Sequence, residues 1–311
     1  FLRFIIMFWK NKKFSNFEFL PCNYCNGNEF KTISKKDRYG LNTKTVICKK
    51  CGLIFINPRM GKEFYDLFYK NSYRKLLQEY KNMGSESWNL EHNFLSSKKL
   101  GENLAIFLKN YINPGAMIEV GSSVGGILAG FKSVFSDLEI LGIEPSTEEA
   151  NFANLKCVDT KIGLIENIRL DLPKTDNIII VRSLNHLLDP KYFFSWAYNQ
   201  LKDDGKLIVV VLDFVKFCNR KNKILTQIDH PFMFTQGSLK NFVESSGFEI
   251  ELFDLTESSD YIKLVAKKAR SDFNLKISED LYSETVKKLN PLKLYLNYCT
   301  NKIIKRIWSK S

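Results

Sequence analysis

The 311-residue chain is predicted to be an α/β protein with a doubly wound, mostly parallel sheet. Met117–Val120 is a short apolar run that enters a glycine- and serine-rich loop, as the first strand of a βαβ unit does. Asn177–Val181 is an unbroken β-branched run, typical of a buried parallel strand. Phe248–Phe253 and Tyr261–Ala266 alternate in hydropathy, and the loop between them is too short for a crossover helix, so they must pair antiparallel.

Composition and patterning divide the chain into five segments. Hydrophobic residues make up 44% and charged residues 26%, as in globular proteins. The formal charge of +12 favours anionic partners, but it is spread over the chain and does not select among nucleic acid, anionic lipid and a nucleotide-linked substrate. The predicted segments are a lead (1–18), a cysteine ribbon (19–60), a helical linker or substrate cap (61–112), the α/β domain (113–270) and a basic amphipathic helical tail (271–311).

The lead segment is not predicted to be a signal or a membrane span. Its apolar run Phe1–Trp9 is about half the length that crosses a bilayer. It also lacks a following small-residue cleavage site. We expect it to be frayed or docked on the protein surface.

Two cysteine pairs predict a structural zinc site. Two residues separate Cys22 from Cys25, and two separate Cys48 from Cys51. Each such pair forms a tight turn, or knuckle, and two knuckles supply four thiolates to one tetrahedral ion. Two disulfides are the alternative. The other cysteines are scattered, at Cys157, Cys218 and Cys299. Scattered cysteines suit a reducing compartment, so a cytoplasmic location is expected.

A glycine loop and a following acidic residue predict a nucleoside-binding site. The loop reads Glu119-x-Gly121-x-Ser123-x-Gly125, and it fits neither the dinucleotide nor the P-loop pattern. Small residues, Ser122 included, let the backbone turn sharply beside a ligand. Glu144 ends the next predicted strand, where an acid pairs with ribose hydroxyls. A tight turn with no ligand is the alternative.

Two further loops belong to the same predicted edge of the sheet. Glu144 is followed by Pro145, at the start of the next predicted helix. Gly163 opens a loop where adenine contacts are expected. His186 and Asp213 also follow strand ends, and open α/β sheets bind ligands at the carboxyl ends of their strands.

The chain resembles a known family at two places. The loop resembles the E/D-x-G-x-G-x-G signature of class I S-adenosylmethionine (SAM) methyltransferases, with serine at the middle glycine. The sequence Cys51-Gly-Leu-Ile-Phe-Ile-Asn-Pro-Arg59, directly after the second knuckle, resembles the zinc-ribbon methyltransferases that include deoxysugar C-methyltransferases. The resemblance covers most of residues 20–270 and implies a seven-stranded sheet, SAM as cofactor, and a sugar nucleotide or glycan precursor as methyl acceptor.

The resemblance also implies roles for individual residues. Glu119 and the loop would hold the methionine end of SAM, and Glu144 would hold its ribose. Residues 227–235 resemble the Y-H-E-H-x-x-x-F-S stretch of the sugar C-methyltransferases, whose last histidine is a general base. By that match His230 is the base and Asp229 its acidic neighbour. His186 is expected over the methyl group because it follows the strand Asn177–Val181. Gln227 replaces the family's tyrosine, so base-assisted O-methylation remains open beside C-methylation.

Two other functions remain open. An RNA methyltransferase would use the basic ribbon to hold its substrate. However, the loop after the predicted strand Asn177–Val181 lacks an N-P-P-Y motif, so nucleic acid is not the expected partner. A methyltransferase-like scaffold could have lost SAM through Ser123.

The tail carries no acid after Lys287 and is amphipathic, which suits an anionic membrane surface, its own domain or a second subunit.

Overall fold

The computed structural model describes residues 17–71, 73–80, 89–167, 173–269 and 280–289. The predictions for the lead segment up to residue 16, for a polar break at 82–87 and for most of the tail therefore lie outside the described residues. Within the described part of the chain, no helix has the length and apolarity needed to cross a bilayer.

The N-terminal module consists of short strands. They are β1 (Phe17–Glu18), β2 (Phe30–Ser34), β3 (Thr45–Cys48), β4 (Ile54–Ile56) and β5 (Arg59–Met60). Strands β2, β3 and β4 form an antiparallel meander, and β1 pairs with β5. Both β3 and β4 are fully buried, because their two faces contact the cysteine knuckles and the rest of the protein.

Three helices connect this module to the main sheet. They are α1 (Lys62–Asn71), α2 (Tyr73–Tyr80) and α3 (Leu90–Phe107). Helix α3 begins at the cap Asn89, whose side chain accepts a hydrogen bond from Glu91 N at 2.8 Å. Gly101 allows α3 to approach the next helix closely, since a Cβ there would lie 2.3 Å from Ile127 O.

The main domain alternates strands and helices. Its elements are β6 (Ala116–Val120), α4 (Gly126–Val134), β7 (Glu139–Glu144), α5 (Thr147–Leu155), β8 (Thr160–Ile162), β9 (Thr175–Val181), a 3₁₀ turn (Leu184–His186), α6 (Pro190–Gln200), β10 (Leu201–Leu212), α7 (Phe214–Lys221), β11 (Phe232–Met233), α8 (Gln236–Ser245), β12 (Phe248–Asp254), β13 (Tyr261–Lys268) and α9 (Asp280–Lys288).

Seven of these strands form one sheet, in the order β8-β7-β6-β9-β10-β13-β12. The five strands from β8 to β10 are parallel, whereas β13 is antiparallel to both of its neighbours. This confirms the predicted doubly wound sheet with a terminal antiparallel hairpin. Strand β9 shows why its run is apolar throughout: Ile178 and Ile180 pack into one core cluster, and Ile179 packs into the cluster on the opposite face.

One predicted turn is wrong. The sequence Asp203-Asp-Gly205 predicts a turn before a strand that starts at Lys206, but β10 already begins at Leu201. Leu201 is fully buried and pairs with Thr175 of β9. The pairing register shifts between Leu201 and Lys206, so the polar residues form an irregularity within the strand.

A strand of the main domain completes the sheet of the N-terminal module. Strand β11 pairs antiparallel with β4, with Phe232 opposite Phe55 and Met233 opposite Ile54. The module's sheet therefore has the order β11-β4-β3-β2. Phe55 and Phe232 also stack, with ring centroids 6.0 Å apart. The module is joined to the main domain both by backbone hydrogen bonds and by a shared core.

Candidate cofactor and proton-transfer site

The glycine loop after β6 has the backbone that its sequence predicts. Gly121 and Gly125 have φ values of 75° and 77°, in the left-handed region that favours glycine. Ser123 also has a positive φ, 51°, in the same left-handed region. The amides of Gly121 and Ser122 both donate to Ile143 O, at 2.8 and 3.1 Å, which fastens the loop to the end of β7.

Glu144 lies at the end of β7 and contacts the loops on both sides. Its Oε2 accepts a hydrogen bond from Ser123 N and its Oε1 accepts one from Ser146 N, both at 2.8 Å. Burial, together with the nearby Glu149, raises the pKa of Glu144 to about 7. Each oxygen keeps a lone pair that can accept a hydroxyl hydrogen of a ribose.

Glu119 is a buried carboxyl group without a described partner for one oxygen. It is 1% exposed, and its Oε2 makes no hydrogen bond among the described residues. Burial and the nearby Glu144 raise the pKa of Glu119 well above its usual range. A cationic ammonium group of a ligand would pair with this carboxyl group and favour its ionised form.

These groups line one cavity of about 360 Å³, a volume typical of small-molecule sites. The predicted residues among its lining are Glu119, Gly121, Ser122, Ser123, Glu144, Pro145, Gly163 and His186. Gly125 is placed beneath the loop instead, where a Cβ would lie 3.0 Å from side-chain atoms of Ala153 and Val158. The cavity therefore brings together the loop, the end of β7 and the loop at Gly163, as predicted.

The linker contributes residues to the cavity, including Arg74, which the sequence did not single out. Tyr69, Tyr73 and Arg74 all line the cavity. Arg74 forms an ion pair with the buried Glu149, and Ser123 Oγ donates to the same carboxylate at 3.0 Å. The aromatic residues of the linker predict a substrate mouth only in general terms, because aromatic residues at helical spacing more often pack in a core. Tyr65 and Phe68 do pack there.

The two predicted catalytic histidines are in contact. The ring centroids of His186 and His230 are 4.6 Å apart and the rings are perpendicular. Burial lowers the pKa of His186, and burial together with His186 lowers the pKa of His230 well below its usual range. Both imidazoles are therefore neutral near pH 7. Among the described residues His186 lines the cavity, whereas His230 is absent from the lining.

The Tyr69 hydroxyl contacts both His186 and the backbone beside His230. Its hydroxyl lies 3.0 Å from Asp229 O, a carbonyl that can only accept, and 3.1 Å from His186 Nδ1. With the hydroxyl hydrogen assigned to the carbonyl, the tyrosine oxygen accepts a hydrogen bond from His186 Nδ1. His186 Nε2 then keeps its lone pair.

His230 is held by its own loop. Gln227 Nε2 lies 2.7 Å from His230 Nδ1, so the glutamine is a direct partner of the ring. Asp229 Oδ2 is 3.9 Å from His230 Nε2, and Asp229 Oδ1 is buried without a partner among the described residues. One ring nitrogen of His186, one of His230 and one carboxylate oxygen of Asp229 all lie within 4.8 Å of one another. The sequence spacing of these residues did not reveal this cluster.

Asp213, which also follows a strand, is not part of this site. Its Oδ1 accepts from Lys216 N at 3.2 Å and thereby caps α7, and its Oδ2 accepts from Gln236 Nε2 at 2.8 Å. Asp213 is absent from the described lining of the cavity. A helix cap explains this acid without a ligand.

The four cysteines of the N-terminal module form a buried cluster. The Sγ atoms of Cys22 and Cys51 are 3.4 Å apart, and those of Cys25 and Cys48 are 3.6 Å apart. Both separations far exceed a disulfide bond, and tetrahedral thiolates around zinc are about 3.8 Å apart. Asn26 and Gly52, which follow the second cysteine of each knuckle, have positive φ values. The cluster can hold one tetrahedral ion.

The chain is similar to several solved methyltransferase structures. A SAM-dependent methyltransferase from Thermotoga maritima, described as a possible histamine N-methyltransferase, is 22% identical, with a TM-score of 0.45 over 63% of this chain and 98% of that one. A methyltransferase from Clostridium acetobutylicum is 12% identical, with a TM-score of 0.46 over 64% of this chain and 99% of that one. No curated protein matches the chain.

A plantazolicin methyltransferase, solved with a substrate analogue and S-adenosylhomocysteine (SAH), is 13% identical, with a TM-score of 0.47 over 67% of this chain and 95% of that one. The family evidence comes from residues 91–252, which match the model of a methyltransferase domain. This match spans more than half of the chain and contains the glycine loop, Glu144 and both histidines. The chain therefore belongs to the methyltransferase-domain family and is a SAM-dependent methyltransferase.

Proposed function

We propose that the chain transfers the methyl group of SAM to an oxygen or carbon atom of a sugar nucleotide or glycan precursor, with His230 and His186 removing the proton. Methyl transfer from a sulfonium is an in-line displacement, so an alcohol or carbon acid must lose a proton as it attacks. The observation that carries the proposal is the contact between two neutral imidazoles, one of which lines the cofactor cavity.

The residues around the cavity fit SAM. The unpartnered carboxyl oxygen of Glu119 suits the methionine ammonium group, and Glu144 suits the ribose hydroxyls. We propose that the loop residues Gly121, Ser122, Ser123 and Gly125 shape the methionine end, while Pro145 and Gly163 border the adenosine. SAM supplies the activated methyl group when bound, and the chain's own residues orient the acceptor and accept its proton.

The sugar-nucleotide acceptor rests on the resemblance of residues 20–270 to the zinc-ribbon methyltransferases. The proposal includes a structural zinc ion bound by the four cysteines and a segment division at residues 18, 60, 112 and 270. The experiment is transfer of a radiolabelled methyl group from SAM to a panel of nucleoside-diphosphate sugars, with an RNA pool assayed in parallel. Labelling of a sugar nucleotide supports the proposal, and labelling of RNA alone would replace it.

A Gly121→Ala variant is expected to bind SAH at least tenfold more weakly. Alanine at φ 75° costs about 1 kcal/mol, and its Cβ would lie 2.5 Å from the side chain of Ser183. The loop must then shift away from the cofactor. Isothermal titration calorimetry with SAH measures the effect.

Gly40→Ala is the matched control. Gly40 has a φ of 83°, but no atom lies within 4 Å of its ideal Cβ. This variant introduces the same backbone strain without a clash, so it should lose stability and keep its affinity for SAH. Equal affinities in both variants would show that the Gly121 loop does not contact the cofactor.

Cofactor affinity is expected to increase with pH. Ribose hydroxyls donate hydrogen bonds and so favour the ionised form of Glu144, whose pKa is about 7 in the free protein. Binding below pH 7 must therefore release a proton from Glu144, which by itself increases the affinity for SAH about tenfold between pH 6 and pH 8. Glu119, whose pKa is also raised, adds to the increase as it pairs with the ammonium group. Calorimetry in two buffers of different ionisation enthalpy measures the released proton, and a Glu144→Gln variant should lack this contribution.

A further inference from the structure

Residues 226–233, named here the histidine loop, carry Asp229 and His230, yet the N-terminal module holds their backbone. Arg38 N donates to Thr226 O at 2.8 Å, and Ile56 N donates to Pro231 O at 2.9 Å. Strand β11, at the end of the loop, pairs with β4. The placement of the histidine loop therefore depends on residues more than 160 positions earlier in the chain.

Ile228 is held on both sides, by the N-terminal module and by helix α1. Asp37 Oδ2 accepts a hydrogen bond from Ile228 N at 3.0 Å. Tyr65 Oη donates to Ile228 O at 3.2 Å. Both side chains are buried, with Asp37 7% exposed and Tyr65 fully enclosed, so water does not compete for either bond.

Asp37 is itself held rigidly. Its Oδ1 accepts from Tyr39 N and from Leu41 N, both at 2.9 Å, and closes the turn between β2 and β3. One carboxylate thus connects this turn to a residue two positions before His230. Only a side chain with two acceptor oxygens makes these three bonds at once.

We propose that Asp37 and Tyr65 are positioning residues for the histidine pair. They fix the peptide groups of Ile228, and through them the distance between His230 and His186. This proposal rests on the proposed function, which gives the placement of His230 beside His186 its purpose. Neither side chain is among the described lining of the cofactor cavity, so cofactor binding should not depend on either.

An Asp37→Asn variant tests this directly, because an amide has one acceptor oxygen and cannot satisfy both the turn and Ile228 N. Hydrogen–deuterium exchange of peptides covering 226–233 should become at least tenfold faster, while peptides from β9 exchange as in the wild type. Affinity for SAH should stay within twofold. Glu29→Gln is the matched control, since it also replaces a carboxylate by an amide, at an exposed ion pair of the same module.

The titration of His230 gives a second measurement. Burial lowers the pKa of this imidazole, so release of the loop should raise it, as followed by nuclear magnetic resonance with the exposed His92 as an internal reference. Tyr65→Phe, which removes only the bond to Ile228 O, should give a smaller change in the same peptides. If Asp37→Asn does not fold, the exchange measured in Tyr65→Phe tests the proposal instead.

Unchanged exchange at 226–233 in the folded variants would overturn the proposal. So would faster exchange throughout the main sheet, since Asp37 would then stabilise the whole protein rather than one loop. Failure of the proposed function looks different: removal of the His230 side chain would leave methyl transfer intact while Asp37→Asn still released the loop.

Discussion

A His230→Ala variant is expected to bind SAM normally and to lose methyl transfer, with kcat reduced by about 10²- to 10⁴-fold, the usual contribution of a general base. The imidazole of His230 is neutral because it is buried beside His186, so it has a lone pair that can accept a proton. His186→Ala should have a similar effect, because His186 is the member of the pair that lines the cavity. Steady-state kinetics with the acceptor identified from the sugar-nucleotide panel measure both variants.

His92→Ala is the matched control for both variants. His92 is exposed on α3 and distant in sequence from either histidine, so its loss should leave kcat unchanged. Because the pair acts as a unit, the double variant should be little worse than either single variant. A kcat within twofold of the wild type in His230→Ala would contradict the assignment of the base.

Removal of the proposed zinc ion is expected to unfold the N-terminal module and to release the histidine loop. Structural zinc contributes about 10 to 16 kcal/mol to the folding of small modules, which is more than the stability of many whole domains. A Cys48→Ser variant should lose the ion. Because β3, which ends at Cys48, pairs with β4 and β4 pairs with β11, the disturbance should reach residues 226–233.

The measurements are metal content by mass spectrometry and hydrogen exchange of peptides from 30–56 and 226–233. Cys157→Ser is the control, because Cys157 is exposed and lies outside the four-cysteine cluster. The account predicts one zinc ion per wild-type chain. A purified protein without metal whose 30–56 peptides were already well protected would contradict it.

The fold could be predicted from local signals. The sequence predicts a helix over Thr147–Leu155 and a helix cap at Thr235. Helix α5 has these bounds, and Thr235 caps α8 by accepting a hydrogen bond from Ser238 N. The antiparallel hairpin followed from the length of one loop. These features depend on hydropathy period, caps and turns, which neighbouring residues determine.

The contacts across the site could not be predicted in this way. Arg74 reaches Glu149 from the linker, and Asp37 reaches Ile228 from the N-terminal module. Each pair joins segments that are at least 75 positions apart, and no local pattern indicates which charged side chain of a helix or turn will face a distant loop. The start of β10 was missed for the same reason, because its pairing with β9 overrides a turn-forming sequence.

A crystal structure of the protein with SAH tests the central claim most directly. The account predicts the ribose hydroxyls on Glu144, the amino group of SAH beside Glu119, and the thioether sulfur facing His186 across the cavity. An SAH molecule bound elsewhere, or one whose sulfur pointed away from the two imidazoles, would contradict it.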